Sequence, residues 1–292
     1  MTTRPDKAEH AGEGTEIADL PTGPVEYRLT GGGESTVVVL HGGHMRAGLR
    51  LGEDVFAEGR SVLIPSRPGY GRTPLEVGAS PAAFADVTAR LCERLGLRRI
   101  EAVVGASAGG PTAAALASRH PHLVRRVVLE CAVGPLPWPD RRTRLVGRVV
   151  FAPGVETVTW TAVRALLRIA PATGLRTLLG GLSNRPPAEV FAALDDDRRA
   201  GLAEVHSRMR SGRGFRNDLR TCSGSVPSFE QPCLVVAARG DGAVPMAQAL
   251  AWVRALPNAE LLISDADSHL LWFDADYPLV ADRIRRFLGA GA

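Results

Sequence analysis

Lysine is almost missing from this chain. Lys7 is the only one among 292 residues and sits in a polar N-terminal stretch, while arginine supplies the other 34 basic side chains. A P-loop needs a lysine on its phosphates, and Schiff-base and pyridoxal enzymes need one in their folded part, so the sequence argues against all three. Cysteine is nearly as scarce. Cys92, Cys131, Cys222 and Cys233 form no C-x-x-C pair and no H-E-x-x-H occurs, which leaves no metal-ligand spacing and predicts neither a metal nor a cofactor. Four scattered thiols fit a reduced compartment. Also lacking are an apolar leader within residues 1–15 and any uncharged run long enough to span a bilayer. The expectation is a cytoplasmic protein without a membrane partner, its residues 1–20 forming a disordered tail. No aromatic residues interleave with the arginines as a nucleic-acid-binding motif requires, so nucleic acid is not an expected partner.

What the chain has is apolar mass: 45% of its residues are hydrophobic, enough for one large core. β-rich runs alternate with helical stretches, which predicts the α/β class with a mostly parallel central sheet of about eight strands flanked by helices. Residues 25–29 and 36–40 read as an opening hairpin around Gly31, Gly32 and Gly33, and further strands are expected at 62–64, 100–104, 126–129, 233–237 and 260–263. Residues 81–95 place Phe84, Val87, Leu91 and Leu95 at helical spacing and leave Arg90, Glu93 and Arg94 for water. The stretch between Val133 and Phe229 is far too long for a loop and predicts a folded insertion. The core is therefore expected at residues 21–133 and 230–292, and the insertion at 134–229. Leu145, Val146, Val149 and Val150 suggest one face of a first inserted helix, and Val155, Val158, Ala162, Leu166 and Ile169 one face of a second; more helix is expected at 175–182 and 187–209.

Gly105-Ala106-Ser107-Ala108-Gly109 joins an expected strand directly to an Ala-rich helical stretch. A serine on so sharp a turn needs glycine on both sides to let neighbouring chain pass, and its hydroxyl emerges at the C-terminal edge of the sheet. A hydroxyl is a poor nucleophile until a histidine takes its proton, and that histidine needs a carboxylate to fix its tautomer. In this chain order the acid follows a later strand and the histidine comes last, which selects Asp241 after the strand at 233–237 and His269 after the strand at 260–263. Asp241 also stands where it would cap the next helix. Asp265 and Asp267 lie close enough in sequence to tune His269, whereas His120 and His122 flank a proline at a helix end and read as surface residues.

With these pieces in place the chain resembles the α/β-hydrolase superfamily over roughly residues 23–290. The resemblance is carried by His41-Gly42-Gly43, Arg67-Pro68-Gly69-Tyr70-Gly71, the Ser107 turn, and the Asp241 and His269 loops. It implies an oxyanion hole made by the backbone N–H groups of Gly43 and Ala108. It also implies that Glu130 occupies a second place for the acid, and that the helical insertion is a cap over the nucleophile. Trp138, Phe151, Trp160, Phe191, Phe215 and His44 are then candidates for the substrate pocket. Two positions depart from the pattern: Ser66 stands where an aspartate is common, and Ser268 where a glycine is common. Dehalogenases and epoxide hydrolases of this fold carry an aspartate at the turn, so Ser107 points away from them.

The implied activity is acyl transfer to water on a small-molecule substrate, ester hydrolysis first. Thioester, lactone or C–C cleavage and transfer to another acceptor use the same residues, and a non-catalytic ligand binder can keep the fold. Residues 134–229 carry 15 arginines against 8 acidic residues, whereas the rest of the chain has 20 basic and 23 acidic ones. Such asymmetry would suit an anionic substrate or an acidic carrier protein, but Arg141, Arg144, Arg148, Arg164 and Arg168 recur at helical spacing as solvated faces do.

Overall fold

The computed structural model describes residues 14–222, 224 and 227–289. Eight strands form one sheet: β1 (Glu16–Leu20), β2 (Gly23–Thr30), β3 (Ser35–Leu40), β4 (Arg60–Pro65), β5 (Ala102–Ala106), β6 (Val127–Glu130), β7 (Cys233–Ala238) and β8 (Ala259–Ser264), in the order β1-β2-β4-β3-β5-β6-β7-β8. The pairings from β4 through β8 are parallel, and β1 and β2 are antiparallel to their neighbours. The central strands β5, β6 and β7 are buried at every residue, as runs rich in valine, leucine and alanine covered on both faces should be, and only Glu130 among them is acidic.

The opening hairpin differs from the sequence expectation. Residues 25–29 and 36–40 do not pair; β2 pairs with β4, and β3 lies on the far side of β4. Gly31 and Gly33 explain this, because a Cβ there would fall 2.4 Å from the Arg60 carbonyl oxygen and 2.1 Å from that of Gly59. The glycines serve a close crossing over the start of β4 instead of a tight reversal. The true hairpin is β1 with β2, so Glu16–Leu20 is strand where a disordered tail was expected, and Tyr27 Oη donates to Glu16 at 2.8 Å. The remainder of that tail, residues 1–13, lies outside the described residues.

Helices α1 (Pro81–Arg94), α2 (Gly110–Arg119) and α9 (Met246–Ala255) cover one face of the sheet, and α10 (Tyr277–Gly289) covers the other. α1 starts where Ser80 accepts from Ala83 N–H and buries Phe84, Val87 and Leu91, as its spacing predicts. Among the described residues between β6 and β7 come six helices: α3 (Arg141–Val150), α4 (Val155–Ile169), α5 (Pro171–Leu179), α6 (Pro187–Ala193), α7 (Asp196–Arg208) and α8 (Gly214–Thr221). The expected helix at 187–209 is broken at Leu194, because Asp195 caps a new start on Arg198 N–H at 2.8 Å. The inserted apolar faces also fall differently. Leu145, Val146 and Val149 are exposed because α3 packs through its small residue: a Cβ on Gly147 would meet Leu219 of α8 at 3.0 Å. α4 buries Glu156, Trp160 and Leu167, and leaves Val155, Val158 and Ile169 outside. No helix among the described residues is long and apolar enough to cross a membrane.

Candidate active site

β5 delivers Ser107 into a single 3₁₀ turn that runs into α2, and the serine takes φ 49°. That left-handed conformation costs a non-glycine residue roughly 1–3 kcal/mol and persists only where the surroundings enforce it. Here the flanks do so: a Cβ on Gly105 would lie 2.7 Å from Gly110 Cα, and one on Gly109 2.0 Å from the Leu40 carbonyl oxygen. β3 and α2 therefore close on the turn from both sides.

Ser107 Oγ lies 3.0 Å from His269 Nε2, and His269 Nδ1 lies 2.7 Å from Asp241 Oδ2. All three side chains are buried. Asp241 also does what a turn carboxylate does, since its Oδ1 accepts from Ala243 and Val244 N–H at 2.8 and 2.7 Å. Its two oxygens are thus divided between backbone and imidazole, which leaves the proton on His269 Nδ1 and makes Nε2 the acceptor facing the serine. Glu130 makes no bond to His269. Asp265 and Asp267 turn away to Arg239 and Arg185, and His120 pairs with Asp86 at the end of α2. Cys131, Asp241 and His269 place potential metal-ligand atoms within 4.8 Å of one another, but two of the three residues are already bonded to each other.

The insertion grips the loops that carry Asp241 and His269. The Leu182 carbonyl accepts from His269 N–H at 2.8 Å and from Gly242 N–H at 3.1 Å, and Ser183 bridges Asp241 in antiparallel fashion. On the other side, a Cβ on Gly42 would meet Ser107 Cβ at 3.2 Å, so the loop after β3 runs against the serine. Ala108, second in its helical turn, has an N–H without a partner inside that turn.

A cavity of about 770 Å³ opens over Ser107 and His269, and Gly43, His44, Trp138, Phe151 and Trp160 line it. Phe215 lines it too, with its ring 4.0 Å from that of His44. Phe191 does not: it lies between Arg176 and Arg199, whose guanidinium carbons stand 4.8 and 4.5 Å from its ring centre. Trp138 spends its indole N–H on the Ala243 carbonyl at 2.8 Å. His44 belongs to a network that sequence reading missed. Trp160 Nε1 donates to Ser211 Oγ at 2.8 Å, and Ser211 Oγ lies 2.7 Å from His44 Nδ1. With Ser211 fully buried, its own proton is satisfied by donating to Nδ1, which leaves His44 protonated on Nε2. Burial, then His206 and Arg67, holds the His44 pKa down to about 3, so the ring is neutral. Ser66, in place of an aspartate, donates to Glu26 Oε2 at 2.7 Å and accepts from Ala47 N–H at 2.9 Å, so β2 supplies the buried carboxylate that the turn lacks.

Serine, histidine and aspartate linked in this order at the ends of a parallel sheet define a class of fold and site together. Residues 35–275 match the family model for the alpha/beta hydrolase fold, and the chain belongs to that family as an enzyme. It is 30% identical over 264 residues to the uncharacterized hydrolase YcgS of Bacillus subtilis (strain 168), covering 88% of this chain and 92% of that protein. A 2-hydroxy-6-oxononadienedioate/2-hydroxy-6-oxononatrienedioate hydrolase of Pseudomonas sp is 25% identical, covering 87% of this chain and 88% of that one. Among solved structures, an alpha/beta hydrolase fold protein from Nakamurella multipartita superimposes with a TM-score of 0.77 at 27% identity, covering 95% of this chain and all 100% of that one.

Proposed function

We propose that the protein is a serine hydrolase that cleaves carboxylic esters of small to medium, partly apolar molecules through an acyl-enzyme. The reading rests on the continuous link from Ser107 Oγ through His269 to Asp241, at 3.0 and 2.7 Å. His269 Nε2 takes the serine proton as Oγ attacks the ester carbonyl, and Asp241 stabilises the imidazolium. The N–H groups of Gly43 and Ala108 receive the oxyanion. His269 then protonates the departing alkoxide and, in the second half, activates the water that releases the acid. The inserted helices act as the cap, lending Phe151, Trp160 and Phe215 to an apolar wall that suits an alkyl or aryl group. A cytoplasmic setting belongs to the same reading, supported by four buried free thiols.

A second reading, hydrolysis of a carbon–carbon bond next to a ketone, is favoured by the likeness to the Pseudomonas hydrolase. Esters come first because their alkoxide accepts a proton from His269 directly, whereas a departing carbanion must also be stabilised. A fluorophosphonate probe is expected to label the protein once, on Ser107, and Ser107→Ala should abolish both labelling and turnover of short p-nitrophenyl esters without shifting the melting curve downward. Unchanged hydrolysis in the purified variant, or a label on another serine, would overturn the assignment.

A further inference from the structure

Glu130 closes β6 in register with Ala106, the residue before Ser107. Both side chains lie on the sheet face shared with Val39 and Ile64, and all four residues line the cavity beneath the nucleophile. On an otherwise apolar wall this carboxyl is out of place. It is 2% exposed, and its Oε1 has no hydrogen-bond partner among the described residues. Trp272, also lining the cavity, stands close enough to ease the carboxyl's burial, yet the two do not meet in bonding geometry and the indole Nε1 is without a partner as well.

The neighbours that would ordinarily answer them are committed elsewhere. Glu53 accepts from Arg28 and from Leu51 N–H, and Tyr277 Oη donates to the Gly52 carbonyl. The indole cannot swing to another partner, because it packs directly on Gly52, where a Cβ would fall 2.1 Å from the ring. Burying polar groups unpaired costs about 1–3 kcal/mol each, and nothing in the packing of the sheet requires an acid here. A leucine of similar length would fill the wall.

We propose that Glu130 and Trp272 form a second recognition point of the cavity, one that binds a neutral oxygen function, a ketone or hydroxyl, carried by the substrate away from its scissile carbonyl. This rests on the ester-hydrolase reading and narrows its substrate class. Burial pushes the Glu130 pKa up to about 8, so near neutral pH the carboxyl is an O–H donor beside the indole N–H donor. An oxygen with two lone pairs accepts from both, and a carboxylate on the substrate would have to be desolvated beside an acid that is itself only just neutral. A site built to bond an oxygen discriminates against the plain chain, which leaves its polar groups unpaired.

The test uses p-nitrophenyl esters of straight-chain acids with a ketone or hydroxyl at the fourth, fifth or sixth carbon, matched plain-chain esters, and a parallel series with the oxygen on the alcohol side. At least one oxygenated ester in either series should exceed its plain match by about 10-fold or more in kcat/KM. Glu130→Leu should erase that preference by lowering the oxygenated rate while sparing the plain one, and Glu130→Gln, which keeps a donor, should retain most of it. Dissociation constants measured on Ser107→Ala separate the two readings: selective binding without turnover in the parent sinks the ester reading and keeps the recognition point. No preference in binding in either series, or a preference unchanged in Glu130→Leu, would overturn the proposal, as would an equal loss on both substrate types.

Discussion

β6 and β7 are neighbours in the sheet, run parallel, and each delivers a carboxylate to the same end. After β7, Asp241 is surrounded by donors: two backbone N–H groups on one oxygen and an imidazole on the other. At the end of β6, Glu130 meets apolar walls and a nearby indole that makes no well-aligned hydrogen bond to it. The first carboxyl has donors on both oxygens, whereas burial holds the second neutral, which is how two acids at one site are given different work. The difference lies in the chain that follows each strand. Residues after Asp241 turn back their amides toward it, whereas Cys131, at φ 44°, carries the chain away from Glu130.

If that contrast is sound, Asp241→Asn should lower kcat by about 10⁴-fold with little change in KM, because the imidazole is left in the wrong tautomer. Steady-state kinetics on a plain p-nitrophenyl ester would check it, and Glu130→Gln on the same ester should stay within a few-fold of the parent. Reversed effects would mean that the acid sits on β6.

Stability tests the same pair from the other side. The Glu130 pKa of about 8 in the fold exceeds that of an unfolded glutamate, which ionises near ~4.3. The unfolded chain therefore releases this proton first as pH rises, so the residue destabilises the fold increasingly between pH ~4 and 8, fully above that. Tyr277 and Cys131, the titratable groups whose own pKa values Glu130 raises, ionise only at higher pH. The stability advantage of Glu130→Leu over the parent should accordingly grow from pH ~4.5 toward pH ~8, the pH-dependent part being on the order of a few kcal/mol by denaturant unfolding. A constant offset across that range would refute the buried neutral acid.

The smallest effect is expected from the charge of the inserted helices. Arg141 and Arg148 are exposed, whereas Arg144 donates to the Trp138 and Pro139 carbonyls and belongs to the packing. Replacing Arg141 and Arg148 by Gln should leave turnover of a neutral ester within about 2-fold and no more sensitive to salt, since exposed charges are screened over roughly 8–10 Å. A selective rise in KM for an anionic ester would instead show that these residues recruit substrate.

The serine, histidine and aspartate were legible in the sequence because the turn and the strand-end loops are local patterns in a fixed chain order. The sheet's edge was not, because the pairing of β2 with β4 depends on where the chain crosses, and three glycines read equally well as a hairpin. Helical spacing found α3 and α4 but not the sides they bury: a stripe such as Leu145, Val146 and Val149 says that a face is apolar, not that anything covers it. His44 was visible as a candidate, yet Ser211, which fixes its proton, lies 167 residues away. Glu130 was noticed as an alternative acid, and only its unpaired surroundings reveal a different use.

The Leu182 carbonyl has a further consequence. It holds the amide of His269 and that of Gly242, the residue after Asp241, so both its lone pairs are taken. Lifting the insertion at this corner would strip two loops of their shared anchor and spoil the spacing of imidazole and carboxylate. This side is an abutment, not a door.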